Sequence, residues 1–336
     1  MAYDLPLIWA ALIGVAIIAY VVLDGFDLGV GILFALEREE PDRNVMVNTV
    51  APVWDGNETW LILGGGGLFA VFPLAYAIIM PAFYPAIITM LLALVFRGVA
   101  FEFRFRANSP GGRLWWDFAF FGGSTIAAFC QGMVLGGLMH GVKVENRAYA
   151  GGWWDWLTGF SIFCGIAVVL GYALLGATWL VWRTEGPLHD RCRGYAHTLG
   201  TTVLALIAVV SLWTPTLNGD FSARWFSWPA IVLTAPVPLL VAGLAVAFFT
   251  GLRDGAELRP FLCALGWFLL CFVGLAISIF PHMVPPSITI WDAAAPPASQ
   301  YFLLVGAVFL IPMILGYTAH AYWVFRGKVR AGTHYH

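Results

Sequence analysis

Charged side chains are scarce in this sequence: Asp, Glu, Lys and Arg make up 11% of its 336 residues, against about 25% in a soluble domain. That shortage excludes an ordinary soluble globule. It also excludes a disordered chain, which needs few apolar residues and a large net charge. Seventeen Lys and Arg against 19 Asp and Glu leave no positive excess for phosphate backbones, so no nucleic-acid partner is expected. The five cysteines show no C-x-x-C, C-x-x-C-H or zinc spacing, which gives no support to iron–sulfur, attached c-type haem or zinc chemistry. Cys130, Cys164, Cys263 and Cys271 lie in apolar runs and Cys192 in a basic loop, and all five read as packed free thiols. Lys and Arg are also missing from the start, and the apolar run from Leu5 to Leu36 is too long for a signal peptide, so it reads as a retained first span.

What is present is apolar and aromatic: 60% hydrophobic residues, mean hydropathy +0.82, 16 Trp, 26 Phe and 11 Tyr. This composition describes a multi-span membrane protein with aromatic girdles. A bilayer core needs about 20 apolar residues per helix. Nine stretches qualify, at roughly 6–36, 53–73, 77–97, 115–139, 156–182, 197–217, 229–251, 261–281 and 301–325, within one membrane domain spanning 1–336. The second and third are separated only by the Pro73–Pro81 region. The segments after spans 1, 3, 5, 7 and 9 carry 14 of the 17 Lys and Arg, and only Lys143, Arg147 and Arg224 fall on the other side. By the positive-inside rule the N-terminus is expected outside, in the periplasm, and the C-terminus in the cytoplasm. No connecting segment is long enough for a soluble catalytic domain, and there is no low-complexity tract or convincing repeat.

Charge inside a span usually marks a proton or ion path, or an obligatory pairing. The first span holds Asp24 and Asp27, whose i, i+3 spacing puts both on one helical face. Asp24 lies about 18 Å short of the inner end of its span by helical rise. The second span repeats the device with Asp55 and Glu58, with Asn57 between them and Trp54 and Trp60 on the flanks. Four acids on two antiparallel helices should therefore meet in the cytoplasmic half, with no arginine on either span. Like charges in a low dielectric cannot all ionise, so the acids are expected to share protons, as uptake from the cytoplasm requires. Plainer readings stand beside this one. Asp55 could cap its helix with Glu58 closing a capping box, or Arg97 or Arg104 from a neighbouring helix could neutralise Asp24 or Asp27.

Gly25, Gly29 and Gly31, then Gly64 to Gly67, permit close helix contact, although four glycines in a row could also break a helix. The histidines avoid the middle of the membrane: His140 and His282 fall at outer span ends, and His189, His197, His320, His334 and His336 on the inner side. Without a central His or Met pair the chain is expected to bind no haem and no metal of its own, with an inner pair of His197 and His320 left as the exception. Asp292, in Ser287-Ile288-Thr289-Ile290-Trp291-Asp292, reads as the anchor of a loop turn.

These motifs resemble subunit II of the cytochrome bd quinol oxidases. The matching segments are Asp24 to Gly31, Ala51 to Leu61, Phe96 to Arg104 and Ser287 to Asp292, in the family's order and across nearly the whole chain. Glu58 and the short length resemble the cyanide-insensitive branch. The resemblance implies an all-α membrane fold of two four-helix bundles plus a peripheral helix, in the bacterial cytoplasmic (inner) membrane. It implies a homologous subunit I that carries the haems (b type, with haem d or a third haem b) and the quinol site. The complex would oxidise quinol, reduce O₂ to water and build a proton gradient from cytoplasmic protons. In that family the acid of the Trp-Asp-Gly-Asn motif belongs to a proton path, a role that falls on Asp55, with Glu58, Asp24 and Asp27 as its neighbours. Some members hold a structural quinone or small single-span accessory subunits, which no residue here establishes.

Two rival readings remain at this point. A proton- or cation-coupled secondary transporter acting alone would use the acids and Gly64–Gly67 as a midplane site. A purely structural assembly subunit would need no acids at all.

Overall fold

Elementary chemistry explains why nearly everything here is helix. In hydrocarbon every backbone N–H and C=O must be satisfied within its own segment. The structure, a computed structural model, describes residues 4–107 and 109–330. Its helices are α1 (Leu5–Leu33), extended by a 3₁₀ turn at Phe34–Leu36, α2 (Glu40–Val50), α3 (Trp54–Val71), α4 (Pro73–Arg106), α5 (Pro110–His140), α6 (Gly159–Arg183), α7 (Gly186–Leu217), α8 (Gly219–Phe226), α9 (Ala230–Thr234), α10 (Pro236–Arg253), α11 (Leu258–Ile279), α12 (Ile290–Ala293) and α13 (Pro297–Val324). Two small antiparallel hairpins, β1 (Val144–Glu145) with β2 (Ala148–Tyr149) and β3 (His282–Val284) with β4 (Ile288–Thr289), lie between the long helices.

Eight segments among the described residues are long and apolar enough to cross a membrane. They account for eight of the nine expected spans. The ninth, at 53–73, is α3, whose 18 residues begin Trp-Asp-Gly-Asn-Glu-Thr and fall below the apolar content of the others. The expected separator between the second and third spans is also displaced. The chain breaks at Phe72 alone, Pro73 starts α4, and Pro81 and Pro85 lie inside it. Proline at the first helical position lacks only an N–H that would be unbonded there in any case. The short α2, α8 and α12 were not expected from hydropathy.

The core is densest where α1, α4, α5 and α6 meet. Asp24 to Val30 of α1 and Gly171 to Val181 of α6 are buried without interruption. Glycines make that possible. A Cβ on Gly29 would strike the Tyr172 carbonyl, one on Gly176 would strike the Gly29 backbone, and one on Gly31 would strike Ser124. In α3 the run Gly64–Gly67 stays helical, and Gly64 and Gly67 lie against Ile17 and Ile13 of α1. The run is a packing surface.

At the arginine-rich end, α2 is clasped by ion pairs. Asp117 accepts from Arg104 at 2.6 Å and Arg43 at 2.8 Å, and Arg191 reaches Glu37 at 2.7 Å and Asp42 at 2.5 Å. At the other end Thr289 and Asp292 form a reciprocal capping box that starts α12, and the Thr289 hydroxyl and amide hold the exposed Asp292 carboxyl below the usual range. Asp292 is the loop anchor that the sequence suggested.

α13 is bound mostly at its ends. Of its residues only Gln300 is buried, while Phe302 and Phe309 are 80% and 73% exposed, as suits a helix solvated by lipid. Ala295, just before it, donates to the Val71 carbonyl. Beyond it, Arg183 donates to the Phe325 carbonyl, Lys328 pairs with Glu257, and the Val329 amide donates to the Arg183 carbonyl.

The glycine crossing gives a direct test. Gly29→Ala or Gly176→Ala should destabilise the protein by about 3 kcal/mol, because backbone has to move. Gly194→Ala, which meets nothing within 4 Å, should be neutral. Thermal melting of the purified membrane protein would show the two losses beside an unchanged control.

Candidate functional site

Helix geometry brings the singled-out acids to one place, and an arginine holds them there. On α1, Asp24 and Asp27 are both 0% exposed. Arg97 of α4, also 0% exposed, sends Nη2 to Asp24 Oδ1 at 2.8 Å and to Asp27 Oδ2 at 3.9 Å, and Nη1 to Glu58 Oε2 of α3 at 3.3 Å. One guanidinium thus joins three helices. It lies beside a pair of stacked rings: Trp54 and Phe101 have centroids 4.8 Å apart, and Arg97 lies 5.6 Å from the former and 5.4 Å from the latter.

Exposure rises outward through the cluster. The side chain of Glu58 is 26% exposed, and Asp55, one turn earlier on α3, is exposed. Asn57, on the opposite face, is buried, donating to Asp27 Oδ2 at 2.7 Å and accepting from the Tyr322 hydroxyl of α13 at 2.9 Å. The capping reading does not hold: α3 is capped by Val53 with no side-chain hydrogen bond, and Asp55 lies in the first turn. The pairing reading holds for Arg97, whereas Arg104 turns to Asp117. The sequence reading treated Arg97 only as a neutralising neighbour, and it is the hub. The sequence shows its position at the end of an apolar run, but nothing there says which neighbouring helix it meets.

The arrangement is costly. A single buried ion pair roughly breaks even against a hydrophobic replacement, and here one cation faces three acids. Asp24 Oδ2, Asp27 Oδ1 and Arg97 Nε have no hydrogen-bond partner among the described residues. Incompletely satisfied buried groups of this kind are characteristic of ion and proton sites.

The histidines lie elsewhere. His140 ends α5, His189 places Nδ1 2.9 Å from the Val181 carbonyl, His197 packs against Phe249, His282 lies in β3, and His320 is beside Trp323. His334 and His336 fall outside the described residues. No group of three or more His, Cys, Asp or Glu able to hold a metal ion occurs among the described residues.

Fold and site together define a multi-pass helical membrane protein with a charge cluster buried where α1, α3 and α4 meet. Comparison with known proteins gives the family. The chain matches the model of the cytochrome bd terminal oxidase subunit II over residues 5–325 and belongs to that family. It is 32% identical to the cytochrome bd-I ubiquinol oxidase subunit 2 of Escherichia coli (strain K12), covering 97% of this chain and 95% of that one. It is 31% identical to the cytochrome bd ubiquinol oxidase subunit 2 of Bacillus subtilis (strain 168), covering 96% of each. Its fold resembles the bd oxidase from Geobacillus thermodenitrificans, with a TM-score of 0.72 at 17% identity over 96% of this chain and 99% of that one. The protein is a terminal oxidase subunit, multi-pass in the bacterial inner membrane, in a complex that carries haem and a partner subunit I.

The hub role of Arg97 is testable. Arg97→Gln should cost about 3–5 kcal/mol by stranding buried carboxylates. Accumulation of the membrane-inserted chain, read by immunoblot, should fall sharply. Adding Asp24→Asn should restore part of it, since the second change removes one stranded charge.

Proposed function

We propose that this chain is the haem-free subunit of a quinol-oxidising, O₂-reducing complex and that its acids carry protons from the cytoplasm toward the partner's oxygen site. The observation that carries this reading is the gradient of burial, from exposed Asp55 through half-buried Glu58 to fully buried Asp24 and Asp27, the last three gathered on Arg97. A proton taken up at Asp55 passes to Glu58 and then to the acids of α1. Each transfer needs one acid with a proton and one without. One guanidinium balances only one carboxylate, so the others hold protons available for transfer. Arg97 keeps its own proton, and therefore positions the acids instead of relaying. Asn57 likewise has no proton to pass; its amide nitrogen holds Asp27 in place, and the Tyr322 hydroxyl donates to its carbonyl oxygen.

The rest of the chain is scaffold. We read α3 as the ninth span, giving two four-helix bundles and a peripheral helix in one membrane domain, with the N-terminus periplasmic and the arginine-rich end cytoplasmic. Asp55, Thr59, Ile62, Gly66 and Phe69 are exposed along α3 at i, i+4, i+7, i+11 and i+14. That heptad spacing, with a glycine in it, suits close packing by a helix of the partner. It also puts Asp55 beside the boundary where a proton has to cross. The haems, b type with d or a third b, and the quinol site lie in subunit I. The scattered histidines of this chain support that division, and a structural quinone or small accessory subunits remain additions to the same scheme.

Asp55→Asn should lower oxygen-consuming turnover about tenfold or more and leave the haem spectrum and the co-purified partner intact. Loss of haem or of the complex in that variant would assign Asp55 a structural role instead. A reduced-minus-oxidised spectrum should show haem bands in the complex purified from native membranes and none in this chain expressed alone. Bands in the isolated chain would overturn the haem-free assignment.

A further inference from the structure

Tyr322, near the end of α13, reaches the acid cluster through Asn57. Its hydroxyl lies 2.9 Å from Asn57 Oδ1, while Asn57 Nδ2 lies 2.7 Å from Asp27 Oδ2 and 3.4 Å from the Leu23 carbonyl oxygen. Asn57 is buried, so bulk water does not compete for these contacts. The Tyr322 ring is itself held edge-on against Phe26 and Trp179, with centroids 6.4 Å from each. An amide nitrogen only donates a hydrogen bond and its carbonyl oxygen only accepts one. Two acceptors face Nδ2 on the α1 side, and a turned amide would set Oδ1 against both of them. The carbonyl therefore faces α13, where the Tyr322 hydroxyl donates to it.

This order distinguishes the two oxygens of Asp27. Oδ2 accepts from Asn57 and is the one that faces Arg97, 3.9 Å from Nη2, whereas Oδ1 has no hydrogen-bond partner among the described residues. A protonated carboxyl carries its hydrogen on one oxygen, and the oxygen held by a fixed donor is the one that stays a carbonyl. Asp24 is divided in the same way: Oδ1 accepts from Arg97 at 2.8 Å and Oδ2 is without a partner. We propose that Tyr322 is a positioning residue for the proton relay, locking the Asn57 amide so that Oδ2 of Asp27 stays a hydrogen-bond acceptor and Oδ1 is the atom that takes up and releases the proton. The inference rests on the relay reading above. In each cycle one O–H bond forms and breaks at Oδ1, while Asn57 and Tyr322 keep their own hydrogens.

The test uses infrared difference spectra of the intact complex, reduced against oxidised, which read the carbonyl stretch of a protonated carboxyl. Asp27→Asn identifies the Asp27 band by removing it. A carbonyl that accepts a hydrogen bond vibrates at lower frequency than a free one. Tyr322→Phe keeps the ring and its packing but removes the hydrogen that holds the amide. The Asp27 band should therefore move to higher frequency, and oxygen consumption should fall about fivefold, the worth of one hydrogen bond, with haem bands unchanged. A purely structural Tyr322 would instead lower the yield of complex and leave the band in place. An unmoved band overturns the proposal whatever the turnover, and so does a moved band with wild-type turnover. If Tyr322→Phe does not assemble, Asn57→Leu decides, because it removes the donor itself at similar volume: a band moved to higher frequency supports the proposal and an unmoved one overturns it. An unchanged spectrum and turnover in Asp27→Asn would defeat the relay through Asp27, whereas a band lost there but unmoved in Tyr322→Phe defeats only the role of Tyr322.

Discussion

The rest of this structure depends on the energetic penalty of charge in hydrocarbon. Asp24, Asp27 and Arg97 are completely shielded from solvent, and no one of them is tolerable there alone. The need to hold them together fixes how α1, α3 and α4 meet, and the surrounding features follow from it. The stacked rings of Trp54 and Phe101 lie beside the guanidinium. Gly98, beside Arg97, leaves room for the Trp54 ring, which would lie 3.3 Å from a Cβ placed there. Glycines on α1 and α6 bring backbones close enough to seal the region behind the acids. The arginine-rich clasp around Asp117 is the same solution near the membrane surface, where water shares the load and the individual pairs matter less.

That constraint also separates two kinds of polar residue. In the relay proposed above, Asp55, Glu58, Asp24 and Asp27 are the groups that change protonation state, while Arg97 and Asn57 do not. The second group surrounds the first and determines where each carboxyl points. A hydrogen-bonded amide is well suited to this because its donor and acceptor are fixed on different atoms. The site therefore combines mobile protons with an immobile frame, which is the division a directional path needs.

How much of this could be read in the sequence follows from the physics of each signal. Hydropathy and the arginine count gave the long helices, because a span of about 20 apolar residues is a strong, local pattern. Spacing gave Asp24 with Asp27 and Asp55 with Glu58, because i, i+3 is a property of one helix. The hub was not legible. Arg97 stands 73 residues from Asp24, and no periodicity within α4 says which neighbouring helix its guanidinium will meet. The support that Tyr322 gives Asn57 was invisible for the same reason, since Tyr322 looks ordinary until its helix is brought against α3. The break at Phe72 was misplaced because prolines read as terminators, whereas Pro81 and Pro85 sit inside a helix whose neighbours hold it in place.

The end stitching of α13 bears on how the subunit is made. Synthesis runs from the N-terminus, so the segment 325–330 that ties this helix to Arg183, Glu185 and Glu257 emerges after all three of them. Tyr322, which steadies Asn57 and through it Asp27, arrives only shortly before. The charge cluster is therefore assembled in two stages. The arginine and the acids can meet as soon as α4 is inserted, but their last support waits for α13, and a ribosome that stops before it leaves a bundle whose central cluster lacks its final clamp.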